Sequence, residues 1–279
     1  MLAEARISVI IPNWNRASLL RRCISSAIFQ SLSPVEVLVC DDGSSDDSKA
    51  IVDSLNLESV KWLAGPRSSL PAVPRNRGMR AAVGEWIAFL DSDDYWFREK
   101  LELQYKYAVD LDVKAVCSNA LSYINQVGLD GNLLAYEEKK LGFFDLLKVN
   151  NVITSSVLIH RSIFEKIGGF PEDPRLRALE DYAFWLRVST YTHFGYISEP
   201  LLVYTQNIQE SVRNFSARNE FDQRRRILKS FLAWSLNQQI NHGYYDAVSN
   251  ELQKGSLRDW VGLARSRLGS IARRVMPQK

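Results

Sequence analysis

Three carboxylates follow an apolar run in the first third of the chain. The run covers residues 86–90, and Asp91-Ser92-Asp93-Asp94 come directly after it. A short apolar run is typical of a strand that is buried on both faces. Open α/β sheets bind ligands at the carboxyl ends of their strands, and clustered carboxylate oxygens suit Mg²⁺ or Mn²⁺. The pattern therefore indicates a metal site, and the alternative is a solvated turn in which Asp94 caps the next helix.

A second acid pair, Asp41-Asp42, follows the apolar run 35–40. Between the two acidic stretches lies a predicted helix start that carries three arginines, Arg75, Arg77 and Arg80. Basic side chains near a helix N-terminus can hold a diphosphate, and a solvated basic face is the alternative. We expect the two strands that end in acids to lie side by side. Together the acids and arginines predict a nucleotide site that also holds a metal.

Strands and helices alternate in the segment that must position these residues. Strands are predicted at 6–11 (ending at Pro12), 35–40, 59–63 and 86–90, with helices at 17–30, 47–55 and from about 74. This alternation is the pattern of a parallel sheet with right-handed crossovers. After residue 95 the pattern is mixed. It predicts helices at 98–110, 143–148, 161–167 and from 179, and strands at 114–119, 121–127, 132–136, 152–159, 193–197 and 201–205.

The remainder of the chain, from about residue 216, is predicted to be a helical extension. Between residues 257 and 275 the apolar side chains fall on one helical stripe with arginines at its sides. Residues 255–279 carry five arginines, one lysine and one aspartate, a net charge of +5. A basic amphipathic helix of this kind is typical of a segment that lies on an anionic membrane surface. The alternative is a helix that packs on the domain and carries its arginines for solubility.

The composition is that of an ordinary globular protein. The chain has 279 residues, 46% of them hydrophobic, and a formal net charge of +3, which does not favour nucleic-acid binding. Cys23, Cys40 and Cys117 have no paired spacing and indicate reduced thiols, not disulfides or a zinc site. No signal peptide and no apolar run of membrane-spanning length is evident in the sequence. We therefore expect a cytoplasmic protein, peripheral on the inner face of the cell membrane if the basic helix binds there.

Several motifs in a fixed order resemble those of the family 2 glycosyltransferases. The resemblance covers roughly residues 6–205 and is carried by residues 8–16, Asp41-Asp42-Gly43-Ser44, Arg75-Asn76-Arg77-Gly78, Asp91-Ser92-Asp93-Asp94, Gly168-Gly169-Phe170 and Glu180-Asp181. It implies an inverting enzyme with the GT-A fold in residues 1–215. Residues 1–94 would be the nucleotide-binding half and 95–215 the acceptor-binding half, followed by the helical extension 216–279.

The resemblance also implies a role for each matching residue in donor binding. Pro12 and Trp14 match the loop in which an aromatic ring lies against the nucleotide base. Asp42 matches the aspartate that accepts a hydrogen bond from the base, which suits uracil or thymine because ring atom N3 of each carries a proton. Arg75 matches the arginine near the diphosphate. Asp91, with Ser92 in the same motif, matches the position that faces the ribose and sugar.

Two further roles concern the metal and the reaction. Asp93 matches the metal position of the family's Asp-x-Asp motif, which implies Mn²⁺ or Mg²⁺ as cofactor. Asp181 matches the catalytic base of the Glu-Asp motif, and the alternative for it is a charge that balances the dipole of the helix it begins. One position departs from the pattern. Family members often carry a metal-binding histidine after the last strand, and this chain has Asn207 there.

The leading hypothesis is an inverting, metal-dependent glycosyltransferase. It would move a sugar from a UDP- or dTDP-sugar to a hydroxyl of a polysaccharide or lipid-linked glycan acceptor. The rival hypothesis is a non-catalytic GT-A-like module that binds a nucleotide sugar or a partner protein, and the missing histidine is its support. Neither hypothesis involves nucleic acid.

Overall fold

The structure, a computed structural model, describes residues 5–124, 129–135, 139–206 and 220–254. Within these ranges ten strands form one sheet: β1 (Ile7–Asn13), β2 (Glu36–Asp41), β3 (Val60–Leu63), β4 (Trp86–Phe89), β5 (Tyr95–Trp96), β6 (Ala115–Ile124), β7 (Leu129–Asn132), β8 (Lys140–Leu141), β9 (Leu158–His160) and β10 (Phe194–Gln206). The helices are α1 (Ala17–Ile28), α2 (Ser48–Leu55), α3 (Ala72–Ala81), α4 (Lys100–Leu111), α5 (Phe143–Lys148), α6 (Arg161–Ile167), α7 (Glu180–Val188) and α8 (Glu220–Ser235). Two short 3₁₀ turns cover Thr154–Ser156 and Pro174–Leu176.

The first half of the sheet is parallel, as the alternation of strands and helices predicted. The strand order is β3-β2-β1-β4-β9-β6-β10-β5, and β1 pairs in parallel with both β2 and β4. β9 is antiparallel to both of its neighbours. The expectation that β2 and β4 are neighbours is wrong, because β1 lies between them. Their carboxyl ends still share one edge of the sheet, since all three strands run in the same direction.

Apolar side chains bury this parallel half on both faces. Every residue of β2 and of β4 is buried. Helix α1 also buries one face, at Leu20, Cys23, Ile24 and Ala27. Helix α3 approaches the sheet closely at Gly78, where an added Cβ would lie 2.7 Å from Cys40 Sγ and from Ile10 Cγ2. Only glycine allows this approach.

Several predicted boundaries in the second half differ from the structure. The predicted strands 114–119 and 121–127 correspond to one strand, β6. The predicted strands 193–197 and 201–205 likewise correspond to one strand, β10, whose pairing with β6 shifts register around Pro200. The strand predicted at 132–136 corresponds to β7, which lies earlier in the chain, at Leu129–Asn132. In the predicted strand 152–159 only the end is extended, because residues 154–156 form a 3₁₀ turn. β1 does not end before Pro12, which pairs with Cys40 inside the ladder.

The two glycines after α6 have different structural roles. The sequence favours the second glycine for the left-handed conformation, but Gly168 is the one with positive φ, at +77°. Gly169 is required for a different reason, since a Cβ there would lie 2.2 Å from Asn76 Oδ1. The Asn76 amide donates to the carbonyl of Phe170 at 2.8 Å and accepts from the N–H of Phe170 at 2.8 Å. This pair of bonds fastens the segment after α6 to α3.

The chain divides into two compact units, residues 1–218 and 219–279. The second contains α8 and a helical stretch at 242–254, joined by an ion pair between Arg224 and Glu251. The division of residues 1–215 into a nucleotide half and an acceptor half stays a prediction, and the basic stretch 255–279 lies outside the described residues. No helix in the part of the chain that the structure describes is both long and apolar enough to cross a membrane.

Candidate active site

The carboxylates after β4 lie in a tight turn that hydrogen bonds to Ser155 hold in place. The N–H of Asp94 donates to the carbonyl of Asp91 at 3.0 Å, which closes the turn. The hydroxyl of Ser155 accepts from the N–H of Asp91 at 3.0 Å and donates to Asp94 Oδ2 at 2.5 Å. The other oxygen of Asp94 accepts from the N–H of Thr205 in β10 at 2.8 Å. Residues from β4, the turn 154–156 and β10 therefore position Asp91–Asp94, which we call the acid turn.

The alternative role for Asp94, a helix N-cap, is wrong. The next helix, α4, begins at Lys100 with Glu99 as its N-cap residue. Asp94 is 1% exposed and both of its oxygens face protein donors. Burial and the charges of Asp93 and Asp91 raise the pKa of Asp94 well above its ordinary value. Asp94 is thus an internal support of the acid turn, whereas the side chains of Asp91 and Asp93 remain accessible.

Asp91 and Asp93 are the two carboxylates of the turn that reach solvent. Their side chains are 28% and 31% exposed. Ser92 is buried. Partial burial, followed by the charge of Asp91, raises the pKa of Asp93 to about 6, and the Arg16 guanidinium, 3.8 Å away, opposes that shift. A cation beside Asp93 would relieve the repulsion between these acids.

The residues of the acid turn fit a metal ion that a bound diphosphate completes. Among the described residues, no group of three His, Cys, Asp or Glu side chains could hold a metal ion by itself. Mg²⁺ commonly binds one or two carboxylates together with substrate phosphates, and Asp93 offers such an oxygen. Asn207, at the position where the resemblance implies a histidine, lies outside the described residues. The predicted role of Asp93 as metal ligand stays a prediction.

Arg75 joins the acid turn to the start of α7. One guanidinium nitrogen donates to Asp91 Oδ1 at 2.6 Å and the other to Glu180 Oε1 at 3.0 Å. Burial alone would lower the pKa of Arg75, but the charges of the two carboxylates raise it above its ordinary value. Glu180 is 4% exposed, and burial raises its pKa to about 6 despite the charge of Arg75. The Arg75 guanidinium thus pairs with two protein carboxylates, and its expected place near the diphosphate stays a prediction.

Asp181, the candidate base, is the second residue of α7 and is partly buried. Its Oδ1 accepts from the N–H of Tyr182 at 2.7 Å, and its Oδ2 accepts from the hydroxyl of Thr154 at 3.1 Å. Thr154 belongs to the same turn as Ser155, which holds the acid turn. The turn 154–156 and the Arg75–Glu180 pair thus connect the acid turn to Asp181 by two routes. The sequence interpretation missed the roles of Thr154, Ser155 and Glu180.

The residues expected to hold the base lie at the carboxyl ends of β1 and β2. Pro12 is partly buried in β1, and Trp14 is 46% exposed just after it. Asp42 is buried and accepts from the N–H and hydroxyl of Ser68, from the N–H of Ser69 and from Arg67. The Arg67 guanidinium also lies over the Trp14 ring, with Cζ 3.6 Å from the ring centroid. The sequence interpretation missed Arg67, which contacts both candidate base-binding residues.

Comparison with solved structures confirms the expected fold. Staphylococcus aureus TarS 1–349 in complex with UDP-GlcNAc superposes with a TM-score of 0.71 at 20% identity, over 90% of this chain and 72% of that one. The mannosyltransferase PcManGT from Pyrobaculum calidifontis, in complex with GDP-Man and Mn²⁺, gives a TM-score of 0.66 at 17% identity, over 99% and 77%. Both show that the chain has the GT-A fold.

Sequence comparison identifies the family. The UDP-Glc:alpha-D-GlcNAc-diphosphoundecaprenol beta-1,3-glucosyltransferase WfgD of Escherichia coli is 31% identical over 182 residues, which are 65% of this chain and 69% of that protein. The chain spans only about a third of the length of some other curated glycosyltransferases that it matches. The model of the family described as "Glycosyl transferase family 2" matches residues 8–168, more than half of the chain. This chain belongs to glycosyl transferase family 2.

Proposed function

We propose that the chain is an inverting, metal-assisted glycosyltransferase that moves a hexose from a UDP- or dTDP-sugar to a hydroxyl of a polysaccharide or lipid-linked glycan. The observation that carries the proposal is the bridge from Asp91 through Arg75 to Glu180, the residue before Asp181. It links the acid turn of the donor half to the candidate base of the acceptor half. WfgD is named for a UDP-Glc donor and a diphosphoundecaprenol acceptor, and TarS binds UDP-GlcNAc.

The reaction that fits these groups is a single displacement at the anomeric carbon. The acceptor oxygen forms a bond to that carbon while the bond to the diphosphate oxygen breaks on the opposite face, so the configuration inverts. A carboxylate oxygen of Asp181 takes the proton of the acceptor hydroxyl. The hydrogen bonds from Thr154 and from the N–H of Tyr182 fix the direction of that carboxylate. A divalent ion, when bound beside Asp93, would neutralise charge on the leaving diphosphate.

Asp181→Asn tests the assignment of the base. The amide keeps the shape of the side chain but takes up no proton, so sugar transfer should fall by about 10²–10⁴-fold. UDP affinity, measured by calorimetry with Mn²⁺, should stay within about twofold of the wild-type value. Asp173→Asn is the matched control, because Asp173 caps the 3₁₀ turn 174–176 and pairs with Arg175. Near-normal turnover in the Asp181 variant would remove Asp181 from the mechanism.

The rival function is a domain that binds a nucleotide sugar without transferring the sugar. Its support is Asn207, which stands where the resemblance implies a metal-binding histidine. A thermal-shift screen of nucleotide sugars with Mn²⁺ or Mg²⁺ identifies the donor, since ligands stabilise the folded chain by mass action. Donor binding without metal enhancement and without transfer or hydrolysis of the donor would support the rival.

The membrane role of residues 255–279 forms a separate part of the proposal. Their net charge of +5 favours binding to anionic lipids at the inner face of the cytoplasmic membrane, where a lipid-linked acceptor would be reached. A chain that ends at residue 254 should lose co-sedimentation with anionic vesicles and still use a soluble acceptor. Unchanged co-sedimentation would contradict the membrane role and leave the catalytic proposal intact.

A further inference from the structure

The guanidinium of Arg67 lies on the two residues expected to hold the nucleotide base. Its Cζ is 3.6 Å from the centroid of the Trp14 ring, and one of its nitrogens donates to Asp42 Oδ2. A planar cation stacked on an aromatic face is a favourable contact, and its ion pair with a buried carboxylate adds to it. The Arg67 side chain is 33% exposed, so it reaches solvent and is not part of the core.

Asp42 has no hydrogen-bonding capacity left while Arg67 is in place. A carboxylate accepts about four hydrogen bonds. Oδ1 accepts from the N–H of Ser68 at 2.9 Å and from its hydroxyl at 2.6 Å, and Oδ2 accepts from the N–H of Ser69 at 3.0 Å and from Arg67. An incoming base that donates a ring N–H to Asp42 must therefore replace one of these donors.

The Arg67 side chain is the donor that can leave. Two of the others are main-chain N–H groups in a segment with little freedom. The third, the Ser68 hydroxyl, could turn to the Leu70 carbonyl 3.2 Å away, but the Arg67 guanidinium would then still cover the Trp14 ring. Ser69 has a positive φ of 64°, and the backbone of Arg67 packs so closely on Gly43 that a Cβ there would lie 2.8 Å from the Arg67 nitrogen. The Arg67 side chain, by contrast, can rotate about its flexible stem into solvent without moving the backbone.

A guanidinium in this position resembles the ligand that the site is expected to bind. Both uracil and guanidinium are flat, both present a face to an aromatic ring, and both have an N–H in the plane that can point at a carboxylate. We propose that Arg67 is an internal competitor for the base, and that a uridine nucleotide binds only after displacing its side chain from Trp14 and Asp42. This inference rests on the proposed function, because it takes Trp14 and Asp42 as the base site.

Calorimetry with uridine tests the inference, because uridine carries no phosphate whose attraction to Arg67 would affect the result. In Arg67→Ala the hydrogen bonds from Ser68 and Ser69 to Asp42 remain, so Asp42 keeps its position and only the competing guanidinium is lost. Uridine should bind about five- to thirtyfold more tightly, the factor expected for losing one stacked ion pair. Arg225→Ala is the matched control, since Arg225 is exposed on α8, belongs to no proposed site, and its removal changes the net charge equally.

The outcomes separate this inference from the function on which it rests. Tighter uridine binding by Arg67→Ala than by wild type and Arg225→Ala supports the competition. Equal or weaker binding by Arg67→Ala, with clear binding by wild type, overturns the competition and leaves the donor assignment intact. A wild-type chain that binds neither uridine nor UDP contradicts both. If Arg67→Ala does not fold, Arg67→Lys takes its place, because lysine keeps the charge but cannot stack as a flat group on Trp14. That variant should bind uridine about twofold more tightly than wild type or better, and an unchanged affinity for uridine would overturn the competition.

Discussion

Ser155→Ala removes the hydroxyl that spans the acid turn. That hydroxyl is fully buried and bonds both ends of the turn, the N–H of Asp91 and the carboxylate of Asp94. Alanine fills nearly the same volume, so the substitution deletes two hydrogen bonds with little loss of packing. The affected groups are too deeply buried to find water as a replacement partner.

The magnitude of the effect follows from the two bonds. A buried bond between neutral groups contributes about 1 kcal/mol and one to a charged group about 1.5–3 kcal/mol, so the free energy of unfolding should fall by about 2.5–4 kcal/mol. The acid turn should also become less well positioned. Because Asp91 and Asp93 are the accessible acids of that turn, we expect the affinity for UDP with Mn²⁺ to fall about tenfold, a loss of about 1.4 kcal/mol.

Ser156→Ala is the control for both measurements. Ser156 is in the same 3₁₀ turn and is equally buried, but its hydroxyl donates only to the carbonyl of Ile153, at 2.7 Å. Urea unfolding gives the stability of each variant, and calorimetry gives the affinity for UDP at saturating Mn²⁺. The control should lose about 1 kcal/mol of stability and no UDP affinity. Equal losses of UDP affinity in the two variants would refute the argument that Ser155 positions the acid turn.

Three further variants test other parts of the structure. Burial lowers the pKa of Lys100 well below 10.5, so the folded chain loses this proton at a lower pH than the unfolded chain and its free energy of unfolding rises with pH. The free energy of unfolding of Lys100→Met in urea, relative to wild type, should therefore fall by up to about 1.4 kcal/mol per pH unit between pH 8 and 9.5. The exposed variant Lys106→Met should show no such trend. Arg75→Lys should lower kcat at least about tenfold with a smaller change in KM, because one ammonium cannot span the two carboxylates that the guanidinium fork reaches; unchanged kcat with any acceptor that the wild type uses would contradict this. Gly169→Ala should lower the thermal midpoint by several degrees, because its Cβ would collide with the amide of Asn76, and an unchanged midpoint would show that the loop yields easily.

Local patterns were sufficient to predict the parallel half of the sheet. Apolar runs of four to six residues mark strands there because both faces are covered, and the 3.6-residue period marks α1 for the same reason. The acids at 41–42 and 91–94 could be placed at one edge because parallel strands end at the same side. In the second half the sheet is mixed, and a bulge at Pro200 has the local signature of a chain break although β10 continues through it.

The supporting contacts of the site were not predictable from local patterns. Arg67 reaches Trp14 across more than fifty residues of sequence, and Ser155 reaches Asp94 across about sixty. One signal was nevertheless present in the sequence. Three successive hydroxyl residues at 154–156 interrupt an apolar segment, and buried hydroxyls need hydrogen-bond partners that a strand interior seldom offers. Such a run favours a turn whose hydroxyls bond neighbouring segments, which is how Thr154 and Ser155 act.

The ion pairs of Arg75 bear on how a diphosphate could be held in this site. Its guanidinium lies between Asp91 and Glu180, and releasing Glu180 would leave a buried carboxylate uncompensated. Arg75 therefore ties the acid turn to the start of α7. Positive charge for a diphosphate is also available from other groups beside the acid turn. Arg16 has a partly exposed side chain 3.8 Å from Asp93, and a metal ion on the same carboxylate would be the second source. Asp93 is therefore the carboxylate beside which both the Arg16 guanidinium and such an ion would lie.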